Sequence, residues 1–322
     1  MLAGYVTSKS TRLATVTRPK GEIHLNNQVD LNNTANDFES LVRRYLRNQD
    51  RQSGPACFAV SGPIYDNSSP GRYLPWPIDG QEIADRLPFS QVRLVNEHIA
   101  AAQGLFELKP DRFYTLNEGN PIPNANKGLV TINNSLDETM IVYDGERYST
   151  FVTESPHAGF APGNQLETEL WQYLYAEHSR VEVGDIVSRR GLNRIFRFVS
   201  DSGHLELPNW FQEGSVRTGK IVELALAGEN ETAEETLDIF IDCLASEAAD
   251  LALRGMTLGG IYLSGSIVSE IVTVLDKGFF MERFTRRGEM EERLLDIPVH
   301  VVLEQRTPLI GAACIALGLQ PQ

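Results

Sequence analysis

Two short stretches of this chain carry side chains suited to chemistry on a small polar molecule. "VRLVNEHIA" sets Asn96 and Glu97 side by side where an apolar strand gives way to a helix. "VTESPHAGFAP" spaces Glu154 and His157 three positions apart, after a strand and before Phe160-Ala-Pro. A carboxylate accepts a hydroxyl proton, an imidazole moves protons near neutral pH, and an asparagine offers both donor and acceptor. Glu97, Glu154 and His157 could thus serve as acid, base or ligands of a divalent metal on a small polar substrate. Each has a plainer reading. Asn96 caps the helix and Glu97 favours its positive end; His157 is a core histidine; the three line a polar cleft that holds no metal. Lys9 reads as an exposed lysine in a hairpin turn, and Asp137-Glu138 as a solvated turn between strands.

The elements that must position these residues follow from patterning. "LAGYV", "TRLATVTR" and "GEIHLNNQVD" are β-rich and separated by turn residues, which predicts consecutive antiparallel strands. Asp37 caps "FESLVRRYLRNQ", where Phe38, Leu41, Val42 and Leu46 fall at helical spacing. "ACFAVSGPI" is apolar on both faces, as a central strand requires. "IDGQEIADRL" is a short helix, "VRLVNE" a buried strand and "HIAAAQGLF" a helix. The pattern then begins again with "KGLVTINNS", "DETMIVYDG" and "ERYSTFVTE" as antiparallel strands. Helices follow over "NQLETELWQYLYAEH", "VGDIVSRRGLNRIFRFVS" and "TGKIVELALAG", then a long one from Glu231 to Arg254 that stops at Gly255. "GGIYLSGSIV" turns a strand into a helix, "IPVHVVLEQ" is a last strand and "LIGAACIALGL" a closing helix. The recurring order predicts two α/β lobes: residues 1–107, and residues 108–307, with the closing helix 308–322 returning to the first. A cleft between such lobes is a common place for a ligand.

Composition narrows the function classes. With 322 residues, 42% of them hydrophobic and 22% charged, the chain can bury sizeable cores. A net charge of −14 with no basic run argues against nucleic acid, whose binding depends on neutralising phosphates. No apolar run reaches membrane-spanning length, and the start lacks a signal peptide's basic flank and apolar stretch. Cys57, Cys243 and Cys314 lie far apart in apolar surroundings and read as buried reduced thiols, which suits the cytosol.

Set in order, these segments resemble the bacterial glucokinase family, the group without a zinc-binding CxxC motif. "ACFAVSGPI" resembles the family's apolar strand ending in Ala-Gly-Pro, and "LVNEHIAAAQGL" its Asn-Asp-Phe-x-Ala segment. "TESPHAGFAP" is similar to Glu-Gly-Gly-His-x-x-Phe-Ala-Pro, and "IVSRRGLNRIF" to Val-Leu-Ser-Gly-x-Gly-Leu. "GGIYLSGSIV" resembles Gly-Gly-Val-x-x-x-Gly-Gly-Ile, and "TPLIGAACIAL" the closing helix. The resemblance implies the two-lobed actin-like (RNase H-like) sugar kinase fold, each lobe a mixed sheet flanked by helices, and a homodimer. It also implies that Asn96, Glu154 and His157 hold a sugar and that Glu97 stands for the catalytic aspartate, one methylene longer. A third acidic ligand of the family aligns with Gly184, with Glu182 and Asp185 beside it in sequence. The family's Thr-Asn before its tryptophan becomes Arg72-Tyr73 before Trp76.

The nucleotide elements depart further from the family. Aligned through Gly4, Arg12, Leu13 and Ala14, the hairpin has Tyr5 for the metal-orienting aspartate and Thr7-Ser8-Lys9 for Gly-Gly-Thr. Tyr5 is expected to pack at the lobe surface or to plug the vacated phosphate site. The second phosphate loop aligns with "NNSLDET", Asn133 to Thr139, which has no glycine and sets Asp137 and Glu138 where triphosphate charge would lie. At about 4 Å and an effective dielectric near 20, each such contact repels by roughly 4 kcal/mol. The adenosine turn keeps Gly265 but has Ser266 for its second glycine. The leading expectation is a glucokinase-like protein that binds a sugar without ordinary ATP-dependent transfer, or one reused for other chemistry. The alternative is ATP-dependent phosphorylation of glucose, and only that reading needs ATP and Mg2+.

Overall fold

The computed structural model describes residues 1–49, 53–211 and 218–319. The chain divides into two units, one of residues 1–110, 143–151 and 304–322, the other of residues 111–142 and 152–303.

In the first unit five strands stand in the order His24–Asn32, Ser10–Thr17, Leu2–Val6, Ala56–Val60 and Val92–Asn96. The first three are antiparallel and the last three parallel. The hairpin and the two apolar strands are those the patterning predicts. Alternation along Ala56–Val60 sorts its side chains by size. Phe58 and Val60 join Leu2, Leu13, Phe38, Leu41 and Ile83 on one face. Cys57 and Ala59 join Ala3, Ala14, Ala100, Leu309 and Ala313 on the other. The small-residue face lets two helices approach backbone to backbone. Glu97–Leu105 lies against Thr307–Ala316, Gly104 over the Thr307 carbonyl and Gly311 over the Ala100 carbonyl. A Cβ at either glycine would overlap backbone, so the helix that begins at Glu97 is held by glycine contacts. Asp37 caps the helix Phe38–Leu46 by accepting from Ser40 N at 2.7 Å. The closing helix runs over Thr307–Ala316; the last three residues of its expected span, 320–322, lie outside the described residues.

In the second unit five strands stand in the order Leu136–Tyr143, Lys127–Ile132, Ile261–Ser264, Val299–Val302 and Phe113–Asn117. The outer pairings are antiparallel and the inner ones parallel. The helix Glu231–Gly255 packs its Phe240, Leu244, Ala248 and Leu251 into the core with Val130, Ile132 and Leu263. Four details depart from the patterning. The helix expected over 183–200 is two, Val183–Ile186 and Arg189–Ser202, because the Ser188 side chain accepts from Gly191 N and starts a new cap. Gly255 is the last helical residue, and Met256 takes the left-handed position expected of the glycine (φ 47°). A Cβ on Gly255 would press on Thr257, so packing rather than capping asks for glycine there. The strand Phe113–Asn117 and the short helices Val272–Leu275, Phe279–Thr285 and Glu291–Leu295 have too few periodic residues to stand out in sequence.

Two buried ionic groups mark this unit. Arg283 donates to Glu167 at 2.8 Å and lies 3.2 Å from Asp242, with Arg283 and Glu167 almost wholly inside. Glu138, expected in a solvated turn, is 2% exposed. It sits in the strand Leu136–Tyr143, shares its inward face with Leu136, and meets Glu247 of the long helix; the turn is confined to the residues before Leu136. Burial first, and then Glu247, raise the Glu138 carboxyl to about 8, so it holds its proton at neutral pH. A neutral inward carboxyl presents no charge to a triphosphate, which removes the repulsion expected of it. No helix among the described residues is long and apolar enough to cross a membrane.

Candidate functional site

The register of the first sheet sets Val6, Val60 and Asn96 in one row at the carboxyl ends of parallel strands. Chain turns just beyond that row gather Ser61, Gly62 and Glu97. Asn96 does cap the helix: its Oδ1 accepts from His98 N at 2.8 Å, while Nδ2 donates to the Gly62 carbonyl at 3.0 Å. That second bond ties the Ser61-Gly62 turn to the helix start. An asparagine amide has one further hydrogen and one further lone pair, so capping leaves capacity for a ligand.

Glu97 is largely buried, with its side chain 16% exposed. Tyr5 does not pack at the surface; its hydroxyl donates to Glu97 Oε2 at 2.5 Å. Burial foremost, with the Glu97 charge behind it, raises the Tyr5 phenol well above its ordinary value. The phenol is therefore the donor and the carboxylate the acceptor. The Ser61 side chain, close to the phenol, offsets part of that rise. Arg72 and Tyr73 stack at 5.7 Å, with the Tyr73 ring against Gly62, and Trp76 Nε1 donates to the Ala35 carbonyl at 2.9 Å. The tip of the opening hairpin spends its own donors. Thr7 Oγ1 accepts from Lys9 N and Ser10 N, Thr7 N donates to the Ser10 carbonyl, and Asn33 braces the turn through Thr7 O at 2.7 Å. Lys9 is exposed, as expected.

The second unit holds the other expected residues. Ser155–His157 form a tight turn closed by His157 N on the Glu154 carbonyl at 3.0 Å. Glu154 and His157 are both exposed, which excludes a core role for the histidine. His157 Nδ1 lies 2.8 Å from Glu182 Oε2, so Glu182 is the acidic group that accompanies it. Gly184 sits under Pro156, where a Cβ would be tight. Asp185 is spent elsewhere. Although burial pushes its carboxyl up, the Glu182 N–H and the Arg194 guanidinium hold it below its ordinary value.

At the Gly265 turn (φ 106°) a Cβ would strike the Ile132 carbonyl, so glycine is obligatory there. Ser266 N donates to Asn133 Oδ1 at 3.0 Å, and Ser266 Oγ accepts from Arg189 at 2.9 Å. A cavity of about 410 Å3 opens in this unit beside Asn164, Glu167, Asp242 and Arg283, and Glu154, His157 and Glu182 are not in its wall. Among the described residues no group of three or more His, Cys, Asp or Glu is placed to hold a metal ion. Sequence reasoning named Tyr5, Asn133 and Glu182 by position but not their partners, and it missed Ser61 and Arg189, of which only Ser61, at the end of an apolar strand, had a local signal.

The deciding observation comes from comparison with known proteins: a family model described as Glucokinase matches residues 2–318. The chain belongs to the glucokinase family. The glucokinase of Nostoc sp. is 32% identical over 301 residues, 88% of each chain. Among solved structures, a glucokinase from an Antarctic psychrotroph superposes with a TM-score of 0.86 at 23% identity, covering 98% of both chains. The glucokinase of Balamuthia mandrillaris, solved in complex with glucose, gives 0.79 at 18% identity, covering 98% of this chain and 93% of its own. The fold is thus that of the glucokinases, an actin-like mixed α/β architecture, as the sequence resemblance implied. The family's nucleotide and Mg2+ can be tested against the residues present. At the hairpin tip Lys9 N and Ser10 N donate to Thr7 Oγ1, and at the Gly265 turn Ser266 N donates to Asn133 Oδ1.

Proposed function

We propose that this glucokinase-family protein binds glucose, with Asn96 and Glu97 of the first unit as its principal sugar contacts. The observation that carries the reading is the Asn96–Glu97 junction in a chain that matches the glucokinase model over nearly its whole length. Asn96 keeps spare hydrogen-bonding capacity, and Glu97 is a fixed, largely buried carboxylate, the pair that hydroxyl recognition needs. In the second unit, Glu154 and His157, the latter paired with Glu182, are the residues that the resemblance assigns to the sugar. As activity, ATP-dependent phosphorylation of glucose is favoured by family membership and by the curated relatives, ahead of the binding-only reading that patterning and resemblance put first. Glu97 would then accept the proton of the sugar hydroxyl.

A second reading, glucose binding without phosphoryl transfer, is supported by one observation. Lys9 N and Ser10 N of the hairpin tip, and Ser266 N, bond within the chain. One experiment separates the two. Titration calorimetry with glucose, ATP-Mg and both is run alongside a coupled assay for glucose 6-phosphate. Product formation that Glu97→Gln abolishes establishes the kinase. Glucose binding with no product and no ATP heat establishes the second reading, and no glucose binding refutes both. Light scattering on the same samples reads whether two copies associate, as the resemblance implies.

A further inference from the structure

Tyr5 and Glu97, ninety-two positions apart in sequence, meet side chain to side chain, and their meeting explains an oddity of length. Tyr5 Oη lies 2.5 Å from Glu97 Oε2, with the Ser61 side chain near the phenol. Both anchors are rigid. Tyr5 lies in the strand Leu2–Val6, opposite Ala59 of the buried strand Ala56–Val60. Ser61 follows that strand in a turn held by Asn96 Nδ2. The second carboxylate oxygen, Oε1, lies 4.0 Å from His98 Nε2, beyond hydrogen-bond reach. We propose that Tyr5 is a positioning residue: its hydroxyl fixes Glu97 through Oε2 and leaves Oε1 to receive a hydroxyl of the bound sugar. The inference rests on the glucose-binding reading and deepens it.

Three physical points carry it. A hydrogen bond between a neutral phenol and a carboxylate is charge-assisted and therefore short and directional. Holding one oxygen removes the rotation about the last carbon–carbon bond of Glu97, so a ligand need not freeze it on binding. An aspartate at position 97 would fall about one methylene short of the phenol, so Tyr5 accounts for glutamate being the longer acid here. Tyr5, not a structural accident of the helix start, sets the reach of the carboxylate.

A double-mutant cycle on glucose affinity tests this, using the full-length protein with wild type, Tyr5→Phe, Glu97→Gln and the double variant. Tyr5→Phe keeps the ring and removes only the donor. It should weaken glucose binding about tenfold, the scale of one hydrogen bond to a charged group. In the Glu97→Gln background the same change should move affinity less than about twofold, because the partner that Tyr5 acts through is altered. A purely structural Tyr5 would cost the same in both backgrounds. Should Tyr5→Phe fail to fold, Ser61→Ala removes the hydroxyl that neighbours the phenol and should produce a smaller loss in the same direction, again only with Glu97 present. Equal losses in both backgrounds, or none in either, overturn the proposal while leaving glucose binding standing. Wild-type protein that binds no glucose overturns the parent reading, and this one with it.

Discussion

Replacing Glu138 by glutamine should make the protein more stable in alkali, and the structure sets the size of the effect. Glu138 is 2% exposed and faces Glu247, itself 7% exposed and paired with Arg254 at 3.0 Å. Burial and then the Glu247 charge raise the Glu138 carboxyl from an unfolded value of 4.5 to about 8, with Arg254 offsetting part of this. Between those two values the native state keeps a proton that the unfolded chain has released. Because the folded value is the higher one, the stabilisation is complete below pH 4.5, declines as pH rises towards 8, and is gone above it. At about 1.36 kcal/mol per pH unit, the interval amounts to on the order of 5 kcal/mol. A glutamine amide can donate to Glu247 as the protonated acid does, and it does not ionise. Urea unfolding of wild type and Glu138→Gln at a series of pH values from 5 to 9 reads the difference directly. The two proteins should be similar near pH 5 and diverge by several kcal/mol at pH 9, with the variant the more stable. Parallel stability curves across that range would refute the assignment of a shared proton to the buried pair.

Other outcomes follow from packing. Gly311→Ala sets a methyl group into the Ala100 carbonyl and should cost roughly 2–4 kcal/mol in chemical denaturation; a cost below about 1 kcal/mol would mean the two helices can separate freely. Arg283→Ala leaves Glu167 charged and enclosed, so a loss of about 3–5 kcal/mol is expected, and a neutral result in thermal unfolding would show that water reaches the group.

Much of the fold was legible because its signals are local. Phe38, Leu41 and Val42 show a helix by spacing, Asp37 shows its start, and the two-sided apolarity of Ala56–Val60 shows a central strand. Some misreadings come from a partner far away in sequence, and one from a local cap. Glu138 lies on the inward face of its strand with Leu136, yet a charged residue there reads as solvated unless Glu247 is known to meet it. The split at Ser188 depends on a side-chain cap inside an otherwise continuous helical pattern. At the candidate site, Asn96, Glu97, Glu154 and His157 were singled out by residue type and resemblance. Surface packing of Tyr5, one of its two expected places, fails because an alignment says nothing of where a long aromatic side chain ends. Glu182 was set aside because the register favoured its neighbour, while a tight turn through Pro156 brings His157 to it.

The glycine contacts that hold Thr307–Ala316 against Glu97–Leu105 also order events in time. The helix bearing Glu97 emerges from the ribosome about two hundred residues before the helix that covers it, a closure of very high sequence separation. Until then the face formed by Ala3, Ala14, Cys57, Ala59 and Ala100 lies uncovered. A nascent chain can assemble the early strands and still lack a rigid floor under its principal carboxylate. Translation must pass residue 316 before that floor is in place, so the site is completed late in synthesis although its first residues are made early.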